Sequence, residues 1–193
     1  MRIERLAGEA GVAIRWRPFL LGPVFAAQGL TTSPFNVYPA KGRHMWRDLE
    51  REAEAQGLPP IRRPDPFPQN ALLAARVALA GADEPWGAAF TKAAFTAEFA
   101  DGRPISEREV ISQVLAGLGL DPAQIFALAG SDANKARLKS QTEEARSRGI
   151  FGAPSFVCPD GELFWGNDRL RQAIAWAVRP GLRTPRNSLS QGD

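Results

Sequence analysis

Apolar residues at the start of the chain fall at Ile3, Leu6, Ala7 and Ala10, a helical spacing that Gly11 ends. From Val12 to Phe19 the pattern alternates, with Val12, Ile14 and Trp16 against Ala13, Arg15 and Arg17, and predicts a strand leading to Pro18. Leu20 to Pro39 is broken by proline and glycine and reads as an irregular loop crossing into another lobe. A helical period then returns. Ala40 to Gln56 reads as a charged helix with Met45, Leu49 and Ala53 as its apolar stripe and Gly57 as its stop. Pro59 to Pro68 holds five prolines in ten residues and predicts an ordered, extended connection. Asn70 to Ala80 is apolar nearly all round, as a buried helix would be. Asp83 and Pro85 open a further helix with Phe90, Phe95 and Phe99 on its core face. Ser106 with Glu109, and Asp121 with Gln124, read as capping boxes for two more, and Ser131 starts a long polar helix that Gly149 stops.

A different rhythm follows Gly149. Gly152-Ala-Pro makes a tight turn, Ser155 to Cys158 a short apolar strand, Pro159-Asp-Gly a second turn, and Glu162 to Trp165 a second strand. Asp168 opens a last helix with Leu170, Ile174 and Val178 inward, and Pro180 stops it. Six helices in succession between two strand regions point to a helical insertion in an α/β core. The expected division is 1–24 with 145–178 as core, 25–144 as helical insertion, and 179–193 as a disordered polar tail.

Composition narrows the chemistry. The chain of 193 residues carries a formal charge of +3, and Arg179, Arg183 and Arg186 against Asp193 place +2 of it in the tail. The body is nearly neutral, so the basic balance is no nucleic-acid footprint. A single cysteine, Cys158, excludes an internal disulfide and a Cys-x-x-Cys pair, and a single histidine, His44, argues against a His-based metal site or triad. Cys158 lies on the Phe156 side of its strand and reads as a small buried hydrophobe, while His44 sits on the charged helix with no partner for general-base work. No apolar run reaches the length of a membrane span.

Gly152-Ala-Pro-Ser-Phe and Phe164-Trp-Gly-Asn-Asp-Arg-Leu170, together with Arg15-Trp-Arg-Pro-Phe-Leu-Leu-Gly22, Ser33-Pro-Phe-Asn36, Lys41-Gly-Arg43 and Met45-Trp-Arg-Asp48, closely resemble the 2-hydroxychromene-2-carboxylate isomerases. That family belongs to the DsbA-like and kappa glutathione transferase branch. The resemblance runs from Met1 to about Val178. It implies a thioredoxin-like α/β core with a large all-helical insertion, a cytoplasmic homodimer, and no metal, nucleic-acid or membrane partner. It also implies glutathione as cofactor and a small aromatic carboxylate as substrate. The implied reaction interconverts 2-hydroxychromene-2-carboxylate and trans-o-hydroxybenzylidenepyruvate. In it the glutathione thiolate adds to the conjugated carbon and turns a rigid double bond into a rotatable single one.

The same resemblance assigns residues. Ala153 ahead of a cis Pro154 would offer backbone groups to the cysteinyl part of glutathione. Trp165, Gly166, Asn167 and Asp168 would hold its γ-glutamyl end, carboxylate on free helix N–H groups and ammonium on Asp168; Asp168 also reads as a plain helix cap. Asn36 and Lys41 would contact the substrate, although Lys41 also reads as an ordinary surface lysine and the family's other lysine position holds Phe25. Phe67 reads as an aromatic wall for the substrate or equally as a core aromatic. The family's first core strand and its sulfur-binding serine find no match here, so no catalytic residue is assigned. Either that segment lies upstream of Met1, or the chain is a short paralogue without catalysis. The rival readings are a kappa-type transferase, a DsbA-family oxidoreductase, and a binding protein without activity.

Overall fold

The computed structural model describes residues Arg2–Gly181; the predicted tail therefore lies outside the described residues from position 182 onward. In chain order the helices are α1 Ile3–Glu9, α2 Leu21–Ala26, α3 Pro34–Val37, α4 Pro39–Ala55, α5 Leu72–Ala80, α6 Gly87–Phe99, α7 Arg108–Gly117, α8 Pro122–Gly130, α9 Asp132–Ser147 and α10 Leu170–Ala177. The strands are β1 Ser155–Val157 and β2 Leu163–Trp165, and a 3-10 turn, Asn167–Arg169, leads into α10. Two compact units result: Met1–Arg15 with the described part of Gly152–Asp193, and Trp16–Phe151.

The first unit is built on the hairpin. β1 and β2 are antiparallel, with Ser155 opposite Trp165, Phe156 opposite Phe164 and Val157 opposite Leu163. The Asp160-Gly161 turn works because Gly161 takes φ +92° and the Asp160 carboxylate accepts from the Glu162 amide at 3.2 Å. One face of the hairpin buries Cys158, Phe164 and Ala173 of α10, with Phe156, Trp176 and Ala177 packed on them. Phe164 and Trp176 meet edge to face at 5.8 Å between ring centres. α1 packs on α10, burying Leu6, Ala7 and Leu170.

The second unit is an all-helical body. Its core gathers residues of α5 through α8, with Val77, Phe90, Ile111 and Leu115 fully buried. α5 contacts α6, α7, α8 and α9, which is why its sequence is apolar on most sides. Truncating Phe90 there would cost about 3–5 kcal/mol.

Several expectations change. Val12 to Phe19 forms no strand. It has no regular structure although its burial still alternates from Val12 to Pro18; a strand needs a neighbour, and the sheet of the described residues has two strands only. Leu20 to Pro39 is not wholly irregular, since α2 and α3 form within it; Ser33 accepts from the Phe35 amide at 3.3 Å and Pro34 supplies the first turn of α3. On α4 the inward stripe is Gly42, Trp46 and Ala53, while Leu49 is exposed. Gly42 is required there because any Cβ would run into the Phe35 carbonyl. α6 begins at Gly87, after Asp83 and Pro85, and buries Phe90, Ala94 and Ala97; Phe95 is 49% exposed and stacks on Phe99 at 6.0 Å. Ser106 donates to Gln69 at 2.7 Å and does not cap α7, whereas Asp121 and Ser131 cap α8 and α9 through the Ala123 and Asn134 amides.

Candidate functional site

Hydrogen bonding in the hairpin decides which backbone groups are on offer. The Cys158 amide donates to the Glu162 carbonyl at 2.9 Å, and the Gly166 amide donates to the Pro154 carbonyl at 3.0 Å. Positions 154, 156 and 158 therefore face β2, and in an antiparallel ladder the amides and carbonyls of Ser155 and Val157 point to the opposite edge, with Ala153 just ahead of it in the chain. No third strand covers that edge among the described residues. The Ala153–Pro154 bond is cis, and both residues are exposed. Ser155 Oγ donates to the Gly152 carbonyl at 2.8 Å and closes the turn. Gly152 cannot be larger, because its missing Cβ is replaced by the Trp165 indole.

Across the hairpin, Gly166 takes φ +106°, and the space of its missing Cβ is filled by the Asp168 carboxylate. The chain then enters the 3-10 turn, in which the Arg169 amide donates to the Gly166 carbonyl at 3.1 Å. Asp168 makes no cap, contrary to the simpler expectation. Its carboxylate is 72% exposed and 3.5 Å from Arg169 Nε. Arg2, which no sequence signal identifies, donates to both the backbone carbonyl and the side-chain Oδ1 of Asn167 at 3.0 Å and fixes this corner. Ala153, Pro154, Trp165, Gly166, Asn167 and Asp168 thus converge on one end of the hairpin. The arrangement fits a small thiol peptide: an open strand edge for its backbone, helix-start amides for a carboxylate, and an exposed carboxylate for an ammonium.

Cys158 is no part of this surface. It is 7% exposed, its thiol donates to the Ala173 carbonyl at 3.5 Å, and burial, then the nearby Asp160 and Glu162 carboxylates, raise its pKa, so it stays a thiol.

In the helical unit the structure brings Asn36 and Phe67 together. Asn36 Nδ2 donates to the Phe67 carbonyl at 2.8 Å and to Thr32 Oγ1 at 3.1 Å. Phe67 is half-buried, meets Trp46 edge to face at 4.9 Å, and lines a cavity of about 360 Å³ with Arg63, Pro64 and Asp65. Lys41 stands apart from that cavity, exposed, with Nζ 5.8 Å from the Phe35 ring centre. His44 is exposed on α4. Arg63, which lines the cavity, and Trp46, which packs against Phe67, are residues that the chain's periodicity gave no reason to single out.

The model of the DSBA-like thioredoxin domain matches residues 1–174. The chain belongs to that family. Within it, the chain is 30% identical to the 2-hydroxychromene-2-carboxylate isomerase of Pseudomonas putida over 173 residues, covering 88% of this chain and 81% of that relative. It is 30% identical to the isomerase of Sphingobium xenophagum, covering 88% and 85%. A kappa 2 glutathione S-transferase of Caenorhabditis elegans is 26% identical over 184 residues, covering 86% and 79%. A solved 2-hydroxychromene-2-carboxylate isomerase structure superposes with a TM-score of 0.78 at 27% identity, covering 91% of this chain and 84% of that one. The DsbA-like thioredoxin fold, rich in helix with a small sheet, is thereby established, and the family members at 30% identity are isomerases. Among the described residues no helix is long and apolar enough to cross a membrane, and no acidic, His or Cys cluster could hold a metal ion.

Proposed function

We propose that this chain acts in a glutathione-dependent isomerisation of 2-hydroxychromene-2-carboxylate to trans-o-hydroxybenzylidenepyruvate. The observation that carries the reading is its 30% identity to curated isomerases across 88% of its length. Bound glutathione would supply a thiolate able to add reversibly to the conjugated carbon, which frees rotation about a former double bond. The chain's own residues hold and orient. The outward edge at Ala153 pairs with the cysteinyl backbone, next to Pro154. The amides at Asn167 and Asp168 take the γ-glutamyl carboxylate, the Asp168 carboxylate takes its ammonium, and Trp165 and Gly166 shape the corner. Asn36 sets the position of Phe67 through its carbonyl, Phe67 offers its ring to the substrate, and Lys41 adds positive charge on α4 for a carboxylate. No residue of the sequence is assigned to stabilise the sulfur.

The test is isomerisation followed by absorbance, with and without glutathione. Acceleration that needs glutathione, with the glutathione recovered unchanged, is the expected result. No acceleration overturns the reading. The kappa relative keeps a second reading open, in which the same thiol site serves a transferase. Accumulation of a glutathione conjugate would favour it and count against isomerisation.

A further inference from the structure

The cavity beside Phe67 carries one cation and one anion, and nothing above assigns either. We propose that it is a carboxylate subsite for a small aromatic monoacid, and that Arg63 is the residue that sets its specificity. This deepens the isomerase reading and rests on it for the identity of the acid turned over.

Arg63 is placed before any ligand arrives. The amide of its neighbour Arg62 donates to the Phe99 carbonyl at 2.7 Å, and Pro64 on its other side is buried, so the backbone is pinned at both flanks. Its guanidinium lies 5.4 Å from the ring centre of Trp46, a side chain only 9% exposed that is itself held by Phe67. A cation–π contact at that distance attracts the guanidinium to the ring without using its hydrogen-bond fork, which stays free for a carboxylate. Among the described residues no ion pair or side-chain hydrogen bond engages that fork, not even with Asp65 on the same cavity wall. A cation oriented in advance, with its donors unspent, loses little freedom on binding an acid.

The other lining groups define the class of ligand. Phe67 gives an apolar face, and about 360 Å³ is the small end of the range for small-molecule pockets. Asp65 repels a second negative charge and accepts from a hydroxyl, so the cavity selects monoacids over diacids.

Benzoate, benzamide and phthalate are titrated calorimetrically against the whole chain without glutathione. Benzoate is expected to bind saturably, benzamide and phthalate at least about tenfold more weakly. Arg63→Ala weakens benzoate by about tenfold or more, and Arg63→Lys, which keeps the charge but not the fork, by less. Asp65→Asn brings phthalate closer to benzoate. Circular dichroism melts check that the variants fold. Trp46→Phe removes a saturable change in tryptophan fluorescence that benzoate produces in the parent chain. The proposal is overturned if benzoate does not bind, if benzamide binds as well as benzoate, or if folded Arg63→Ala binds benzoate like the parent. Because no glutathione is present, a chain that binds benzoate through Arg63 yet fails to isomerise contradicts the isomerase reading alone. Loss of isomerisation leaves the subsite standing.

Discussion

Glu98 shows how a single side chain sets the response of this molecule to pH. It is 6% exposed on α6, no ion pair engages it among the described residues, and burial alone pushes its carboxyl from the ordinary 4.5 up to about 7. Between those values the folded state holds a proton that the unfolded chain has lost, so the contribution of Glu98 to stability is greatest below about 4.5 and is lost as pH rises to 7. From pH 5 to pH 8 the loss should be about 2–3 kcal/mol, at about 1.4 kcal/mol per tenfold. Urea unfolding of Glu98→Gln should lack this slope and be more stable than the parent at pH 8; equal slopes would contradict the assignment. Gly166 makes a second prediction at this scale. Alanine there must adopt φ +106° and compete with the Asp168 carboxylate for space, at a cost of about 1–3 kcal/mol. Glutathione affinity should fall with it, measured by calorimetry, while Gly29→Ala, also at positive φ but with open space around it, should lower stability without touching affinity.

At the scale of elements, the segment after Arg15 shows what an alternating stretch does without a ladder. Arg17 grips Glu144 with both guanidinium nitrogens, at 2.9 and 2.5 Å, Gln141 donates to the Pro18 carbonyl, and the Leu20 amide donates to Thr142 Oγ1 at 3.2 Å. Side chains of α9 thus serve where strand partners would. Hydrogen bonds from Arg17 and then Arg148 lower the Glu144 carboxyl to about 2. Its contribution is present above the ordinary 4.5 and is lost as pH falls towards 2, so the stability gap between parent and Glu144→Gln should shrink over that range in acid unfolding. A gap that stays constant to pH 2 would contradict the pairing. Periodicity located this segment by its alternation, and alternation does persist in its burial. Whether such a stretch becomes a strand depends on a neighbour that local pattern cannot supply. The same limit explains Phe95: helical spacing allows 90–95–99 or 90–94–97 as the buried face, and tertiary packing chose the second. Capping signals carried by one residue and the next turn, as at Asp121 and Ser131, were legible; the Ser106 signal failed because α7 starts one residue later, with Glu107 at the cap position.

For the whole molecule, the hairpin, the six central helices and the closing helix were all readable, because each is specified by contiguous sequence. Convergence of Ala153 with Gly166 and Asp168 was readable too, since a hairpin brings its two ends together by register. Arg2 on Asn167 and Arg63 on Trp46 were not, because the first spans 165 positions and the second depends on how a proline-rich connection lies on α4. Chain division matters for the proposals as well: the residues proposed for the thiol peptide belong to the hairpin unit and those proposed for the acid to the helical unit. Each half can therefore be disabled separately, Asp168→Asn for glutathione and Arg63→Ala for the acid. The most direct measurement of the central claim is a calorimetric titration of glutathione against the parent chain and Asp168→Asn. A saturable one-to-one isotherm, weakened about tenfold or more by the substitution through loss of the ammonium contact, is the predicted result. No binding, or equal binding by both, would contradict it.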